Sequence, residues 1–523
     1  MKKNRFYTQY IVLPVILLGL FFNSCEDLDE DLSGTLVTSS FYSDEKDLEM
    51  AVTGIYNAYA TNMEGDAYQS NRFYSPIMGG DDVISHFGSN KAPFRDIDIF
   101  AATSNNINLD KVWEALYRGI LRCNTLIKYA PKANTTEAKR NECIGQAKFL
   151  RALAYFDLIR FWGDVPFPTQ PDVSFELAVT PVATIMDTIM SDLKFAEKWL
   201  PDQYPPDQYS KANKWSAKTL LADVYLKMAG WPLKETSYYA FAKDKAQEVI
   251  SSGKYSLMDD FANLWDIKYD NSSNPEYVFV FTCSYTAGNA YANRSSRSTF
   301  APEEDGWNDY FAQIGFFNAF PNDYRKEKTF QTVIKGKPWQ ETELHHPFFA
   351  KWRSGNSLAK DGSGTHKLMT DRSVVMYRYP ILLFTYAEAQ CMADGTPNAQ
   401  AYEYVNMIRR RANKLPIDVP NSEIDLTPGL SQIAFRDSVI AERGWEFAGE
   451  KIRFHDLVRI EQVAEMNIKH RVIGEDPQDY TKPWDWPVLG KDILTLPKEH
   501  YYYLPFSETE LANNPLLVQK PGY

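Results

Sequence analysis

The chain is 523 residues long, with 44% hydrophobic and 24% charged residues, enough apolar material for a large core and too much for an intrinsically disordered chain. Its formal net charge is −12, and −15 once the three positive charges of Lys2, Lys3 and Arg5 leave with the N-terminal segment described next. That balance disfavours nucleic acid or anionic lipid headgroups as ligands and suits a neutral or cationic one. Aromatic residues make up 14% of the chain, with 12 Trp and 32 Tyr, more than a core alone requires.

Lys2, Lys3 and Arg5 are followed by an almost wholly apolar run from Ile11 to Phe22. A basic start and about a dozen apolar residues form the layout of a secretory signal, and the run is shorter than the ~20 residues that cross a bilayer. It ends at Asn23, Ser24 and Cys25, which resembles a lipoprotein signal cut before an acylated cysteine. An ordinary signal peptide with a coincident cysteine is the alternative. Residues 1–24 are therefore expected to be the signal and 25–40 a lipidated acidic tether. Several acyl chains on Cys25 would hold the protein stably, since one chain anchors only marginally. The run Glu26-Asp-Leu-Asp-Glu-Asp31 reads as a solvated tether. It also resembles the acidic export signal that sends Bacteroidetes lipoproteins to the outer face of the outer membrane.

Amphipathic helical spacing then recurs in pairs. Asp47 to Ala60 carries Leu48, Val52, Ile55 and Tyr59 at three-to-four spacing, and Lys111 to Tyr129 carries Val112, Leu116, Ile120 and Ile127. Glu137 to Phe161 is stopped by Gly163 and Pro166, and Val182 to Leu200 by Pro201. Lys214 to Gly230 is paired with Tyr239 to Ser252, and Pro380 to Ala393 with Asn398 to Ala412. In the last two pairs, small alanines fall where the helices would cross, the pattern of tetratricopeptide-like hairpins, which stack because neither helix buries its apolar face alone. The predicted fold is mostly α, a helical-repeat scaffold over about 45–253 and 380–412. Cys123, Cys143, Cys283 and Cys391 match no zinc or redox spacing and read as buried thiols, with a Cys123–Cys143 bridge the alternative.

Two stretches fall outside the repeats, about 61–109 and 254–374. Both are rich in Gly, Asn and aromatic residues, and the second holds one strand-like run, Tyr277-Val-Phe-Val-Phe281. Irregular insertions this long are usually functional, and rigid scaffolds commonly present binding residues on loops.

Several motifs now converge. Arg151-Ala-Leu-Ala-Tyr-Phe156 with Leu158 and Gly163-Asp-Val-Pro166, the preceding Trp113, Tyr117, Ile120 and Asn124, and the opening Phe41, Gly54 and Tyr56 resemble segments of the SusD/RagB family. Ile440-Ala-Glu-Arg-Gly-Trp-Glu446 through Glu450, Arg453, Asp456-Leu457 and Arg459 resembles that family's charged C-terminal helix. The end of the chain, from Leu504-Pro505 to Pro521-Gly-Tyr523, resembles its tail, with departures at Phe506-Ser507 and Lys520. The resemblance implies one SusD-like domain over 41–523, with a C-terminal helix and tail over 431–523. It further implies a surface-exposed lipoprotein of the outer membrane that binds glycans, or peptides in the RagB branch, and passes them to a SusC-like TonB-dependent transporter.

Within the charged segment, Glu442, Glu446, Glu450 and Arg453 fall on one face of a continuous helix, with Arg443 beside them. Carboxylates in line repel unless cations neutralise them, so the segment reads as a structural ion-pair network; a catalytic acid/base pair is the alternative.

Glycans are gripped by flat aromatic faces with a few orienting polar groups, so candidate ligand contacts are the aromatic residues of the insertions. In the first these are Tyr68, Phe73, Tyr74 and Phe87, near Arg72, Asp81 and Asp82; in the second, Tyr285, Tyr291, Trp307 and Tyr310, near Asn289, Asn293 and Arg294. Trp307 leads, because Gly306 implies an exposed turn. Asp81-Asp82 and Glu303-Glu-Asp305 lack the spacing of a calcium loop and read as turn or cap residues. No zinc-protease motif, nucleophile elbow or phosphate loop occurs, and no metal, cofactor or nucleic-acid partner is expected. A glycosidase, whose two carboxylates leave no signature, stays open as an alternative.

Overall fold

A computed structural model describes residues 41–60, 67–86, 88–172, 174, 176–288, 291–353, 369–471 and 497–523. Cys25, Phe87 and Asn289, together with the signal and tether, lie outside the described residues.

The helices begin and end where local chemistry dictates. α1 (Glu45–Ala60) is followed by α2 (Ile107–Tyr129), whose first amides are capped by the Asn106 carboxamide. α3 (Glu137–Trp162) starts at the Thr136 cap and stops at Gly163, whose φ of +69° only glycine adopts freely. From Cys143 onward it is buried nearly all round, between α2 and α4 (Val182–Trp199). α5 (Lys214–Ala229) opens with a capping box between Asn213 and Ser216 and packs on α6 (Tyr238–Ser251). α7 (Pro380–Asp394) begins with proline, where no amide is needed, and closes at Gly395 in the left-handed conformation. It packs directly on α6 and on α8 (Ala399–Ala412). The second insertion thus leaves the stack after α6 and returns at α7 without interrupting it, as the alanine pattern predicts.

Short antiparallel pairs tie the insertions down. β1 (Val83–Ser85) of the first pairs with β3 (Tyr310–Ala312) of the second, Val83 facing Ala312 and Ser85 facing Tyr310. β2 (Tyr277–Phe281), the strand read from the sequence, pairs with β4 (Val374–Arg378) and closes the ends of the second insertion. All four described cysteines are thiols, Cys123, Cys143 and Cys391 buried, and no Cys123–Cys143 bridge forms.

The C-terminal charged segment departs from expectation. It is three helices, α9 (Gln432–Glu446), α10 (Arg453–Arg459) and α11 (Val463–Arg471). α9 breaks after Glu446, with Gly449 and Lys451 at φ of +74° and +69°, so Glu450 and Arg453 do not continue its face. The ion-pair network nevertheless exists, built from convergence rather than from one helix face. Glu446 is wholly buried and meets Arg378 and Arg411 at 2.5 Å each and Arg325 at 3.2 Å. Glu442 pairs with Arg325 at 2.7 Å and Arg409 at 2.9 Å, while Glu450 pairs with Lys351 and Arg378. Insertion, strand and repeat each send a cation to one carboxylate, which satisfies the requirement that buried charges be paired. Burial alone would raise the Glu446 carboxyl; its three guanidinium partners reverse that and hold it well below the usual range.

Candidate functional site

The two insertions meet at Asp309. Its carboxylate accepts from the Asn71 amide at 2.7 Å and the Ser298 hydroxyl at 2.6 Å, and it pairs with Lys91. Its carbonyl takes the His86 amide at 3.1 Å, and its own amide donates to Ser298 at 3.0 Å. One buried aspartate therefore holds residues 71, 86 and 91 of the first insertion against 298 and 309 of the second.

Trp307 stands two residues away on a tight turn. Asp305 and Asn308 adopt positive φ, 63° and 45°, and a Cβ on Gly306 would lie 2.0 Å from the Phe300 carbonyl oxygen. The turn is fixed by Gly306 donating to Ala301 at 3.0 Å and Trp307 donating to the Arg297 carbonyl at 2.9 Å. The indole is half-buried, with the Arg297 guanidinium carbon 4.7 Å from its ring centroid. Tyr285 and Tyr291, both half-buried, sit on a small loop closed by Ser284 donating to the Tyr291 carbonyl at 2.8 Å. The Tyr285 amide is held by Asp371. Arg72 and Arg294 are half-buried on the neighbouring segments, and the Arg294 amide donates to the Gln69 carbonyl at 3.2 Å.

Other predicted contacts are structural. Tyr74, 1% exposed, stacks on the equally buried Tyr310 with centroids 4.2 Å apart, so the two rings join the insertions from inside rather than face a ligand. Tyr68 is buried against Phe281 and Phe73, its hydroxyl donating to Asp157 at 2.8 Å. Asp81 is wholly buried between Arg453 at 2.6 Å and His470 at 2.7 Å. Burial opposes its ionisation, but these partners hold its carboxyl well below the usual range. Asp82 lacks such a cation; burial and the Asp81 charge push it up to about 6, and it accepts from the Gly449 amide. Asn293 is buried, donating to the Thr370 and Arg372 carbonyls. Glu304 caps the Ala301 amide and takes a two-pronged pair from Arg353 at 2.7 and 2.8 Å, a turn-and-cap role in keeping with its sequence context.

Sequence reasoning missed Asn71, Lys91, Arg297 and Asp309. Each sits among other polar residues with no spacing that marks it, and its role follows from contacts across more than 200 residues, except for Arg297, which lies ten residues before the indole it covers. Other concavities lie apart from the turn, among them a groove and a chamber. An open groove of about 400 Å³ between α2 and the C-terminal tail is lined by Trp113, Tyr117, Leu121 and Pro166. An interior chamber of about 70 Å³ is lined by Asp157, Arg160, Asp223, Lys227, Lys451 and His455.

A helical-repeat scaffold whose two long insertions are cross-tied into one loop surface defines a class of loop-presenting binding folds. Two family models match the chain, one described as the SusD family over residues 299–523 and one as "starch-binding associating with outer membrane" over residues 37–226. The chain thus resembles the SusD/RagB family through both its N-terminal and its C-terminal part. It is 26% identical to SusD-like protein P25 of Formosa agariphila, over 86% of this chain and 89% of that one. It is 24% identical to a SusD-like protein of Bacteroides ovatus, over 99% and 98%. A SusD homologue from Bacteroides thetaiotaomicron superposes with a TM-score of 0.79 at 21% identity, covering 93% of this chain and 98% of that one. Surface glycan-binding protein A from the same species, crystallised with laminarihexaose, superposes with a TM-score of 0.70 at 20% identity, covering 91% and 99%.

Proposed function

We propose that this protein captures glycans on the loop surface around Trp307, Tyr285 and Tyr291, without cleaving them, and delivers them to a SusC-like TonB-dependent transporter of the outer membrane. The observation that carries the reading is that three half-buried aromatic rings stand within segment 284–309 on turns fixed by backbone hydrogen bonds, the Trp307 turn beside Asp309 and the Tyr285 amide on Asp371. Rigid, partly exposed rings offer the faces on which sugar C–H groups stack, and the surrounding Arg and Tyr groups can orient hydroxyls. Resemblance to the family, and a structural neighbour crystallised with a glucan oligosaccharide, support the same ligand class. The Cys25 lipid and the acidic run behind it would set the protein on the outer face of that membrane.

Affinity electrophoresis of the mature chain against a panel of polysaccharides tests the binding. Retardation by at least one glycan, lost in Trp307→Ala, is expected. Tight peptide binding with no retardation by any glycan would instead place the protein with the peptide-capturing RagB branch. Incubation with the retarding glycan should release no new reducing ends; their appearance would mark a hydrolase. Co-purification of the transporter with the tagged chain from detergent-solubilised outer membranes tests the delivery step.

A further inference from the structure

We infer that the sugar seated against Trp307 carries an anionic group, a carboxylate or a sulfate, which the Arg297 guanidinium receives. The inference rests on the glycan reading above and narrows it to acidic glycans.

Lys91 is neutralised by Asp309 and Arg353 by Glu304 in a two-pronged pair. Glu303 accepts from the Glu343 amide at 2.7 Å. Asp305 is exposed on the turn and makes no ion pair with Arg297. Arg297 differs from its neighbours. Its guanidinium lies over the Trp307 ring at 4.7 Å, its Nε is buried without a partner, and no carboxylate or carbonyl among the described residues receives its N–H groups. Its backbone is fixed all the same, because its carbonyl holds the Trp307 amide at 2.9 Å and its amide donates to the Arg294 carbonyl at 3.2 Å.

A guanidinium stacked on an indole keeps its full charge and presents its in-plane donors at the edge of the ring. Guanidinium donors match the two oxygens of a carboxylate or sulfate, and such charge-assisted bonds are about twice as strong as those to neutral acceptors. A sugar on the free part of the indole would set an equatorial or exocyclic acidic group within reach of them. The negative charge of the whole chain does not forbid this. Exposed charges more than about 8 Å away are screened at physiological salt, and the charge against the indole is the Arg297 guanidinium.

The test uses matched polymers differing only in charge: polygalacturonate against its methyl ester, and dextran sulfate against dextran, with the mature full chain and its variants. Wild-type protein should bind the charged member of at least one pair tenfold or more tightly, and the preference should shrink as NaCl is raised. The pair that shows it separates a carboxylate ligand from a sulfate one. Arg297→Gln should erase the ratio while keeping the wild-type melting temperature, Arg297→Lys should restore part of it, and Trp307→Ala should lose both members. Equal binding of charged and neutral members, or a ratio unchanged in Arg297→Gln, overturns the inference and leaves the glycan reading standing. Peptide binding with no polysaccharide retained overturns both.

Discussion

Asn71 donates its side-chain amide to the Asp309 carboxylate at 2.7 Å across 238 residues of sequence. The bond joins the two irregular insertions, and with Lys91 and Ser298 on the same carboxylate it makes Asp309 the point on which the loop surface depends. Asp309→Ala leaves a mostly buried ammonium and a carboxamide without partners, a cost of about 2–4 kcal/mol. The expected outcome is weaker glycan retardation with the helical repeats intact. Far-ultraviolet circular dichroism should be unchanged while hydrogen exchange rises in segments 71–95 and 297–309; uniform exchange across the chain would show that Asp309 does not hold this surface.

Trp307 and Tyr74 separate binding from packing, although the sequence offers both as ligand contacts, with Trp307 first. Trp307→Ala should abolish glycan binding and cost no more than about 1–2 kcal/mol, because the indole is only partly buried. Tyr74→Ala removes a ring stacked on Tyr310 inside the protein and should cost about 3–5 kcal/mol. Urea denaturation of both variants beside affinity electrophoresis checks the pair; destabilisation of the Trp307 variant on the Tyr74 scale would contradict the assignment.

That pair also shows what the sequence could disclose. Helical spacing at Leu48, Val52 and Ile55, the stops at Gly163 and Pro201, and the alanines of the last two hairpins are local signals, and the helices lie where those signals place them. The exposure of a loop ring is not local. Tyr74 and Trp307 both sit among Gly, Asn and Asp residues, and only the β1–β3 pairing, which brings Tyr310 over Tyr74, decides that one is core. The charged C-terminal segment failed for a similar reason. Its residue spacing suits a continuous helix, but Glu446 draws Arg378, Arg325 and Arg411 from three separate segments, and the chain turns at Gly449 to let Glu450 reach Lys351.

Gly306 gives a sharper test of the turn than truncation of its indole. A Cβ there would meet the Phe300 carbonyl at 2.0 Å, well inside van der Waals contact, so Gly306→Ala must shift the backbone that carries Trp307. Glycan affinity should fall tenfold or more while the melting temperature drops only a few degrees, as expected for strain confined to one surface turn. Wild-type affinity in this variant would show that the ring does not need its present position.

Glu446 sets the acid limit of the fold. Its folded carboxyl lies below the ordinary 4.5 because three arginines surround it. A depressed carboxyl contributes stability that is present above the unfolded value and lost as pH falls through the folded one. Stability measured by urea should therefore decline progressively below about pH 4.5. In Glu446→Gln that share of the decline should vanish, and at pH 7 the variant should be about 3–5 kcal/mol less stable, since buried guanidinium charge is left uncompensated.

The interior chamber predicts the opposite slope at alkaline pH. Burial, helped by the neighbouring Arg160 and Arg459, pushes the Lys227 ammonium down to about 7, and burial pushes Lys451 down to about 8. Between these values and the ordinary 10.5 the unfolded chain binds the protons that the folded chain has released. Stability then rises with pH, because the penalty for a buried charge is relieved as the amine neutralises. The gain should appear from about pH 7 to 8.5, before the Cys123, Cys143, Cys283 and Cys391 thiols, which burial raises above the ordinary 9.0, begin to oppose it. Above about 10 the raised Tyr68 and Tyr377 hydroxyls, protonated in the folded state only, turn the slope downward. Lys227→Met removes one buried charge from the chamber and should flatten the rise between pH 7 and 8.5 in part, with Lys351, Lys451 and Lys520, all lowered by burial, leaving the remainder. An unchanged slope in that variant would mean that Lys227 keeps its ordinary charge in the fold, and that the chamber is hydrated well enough to hold it.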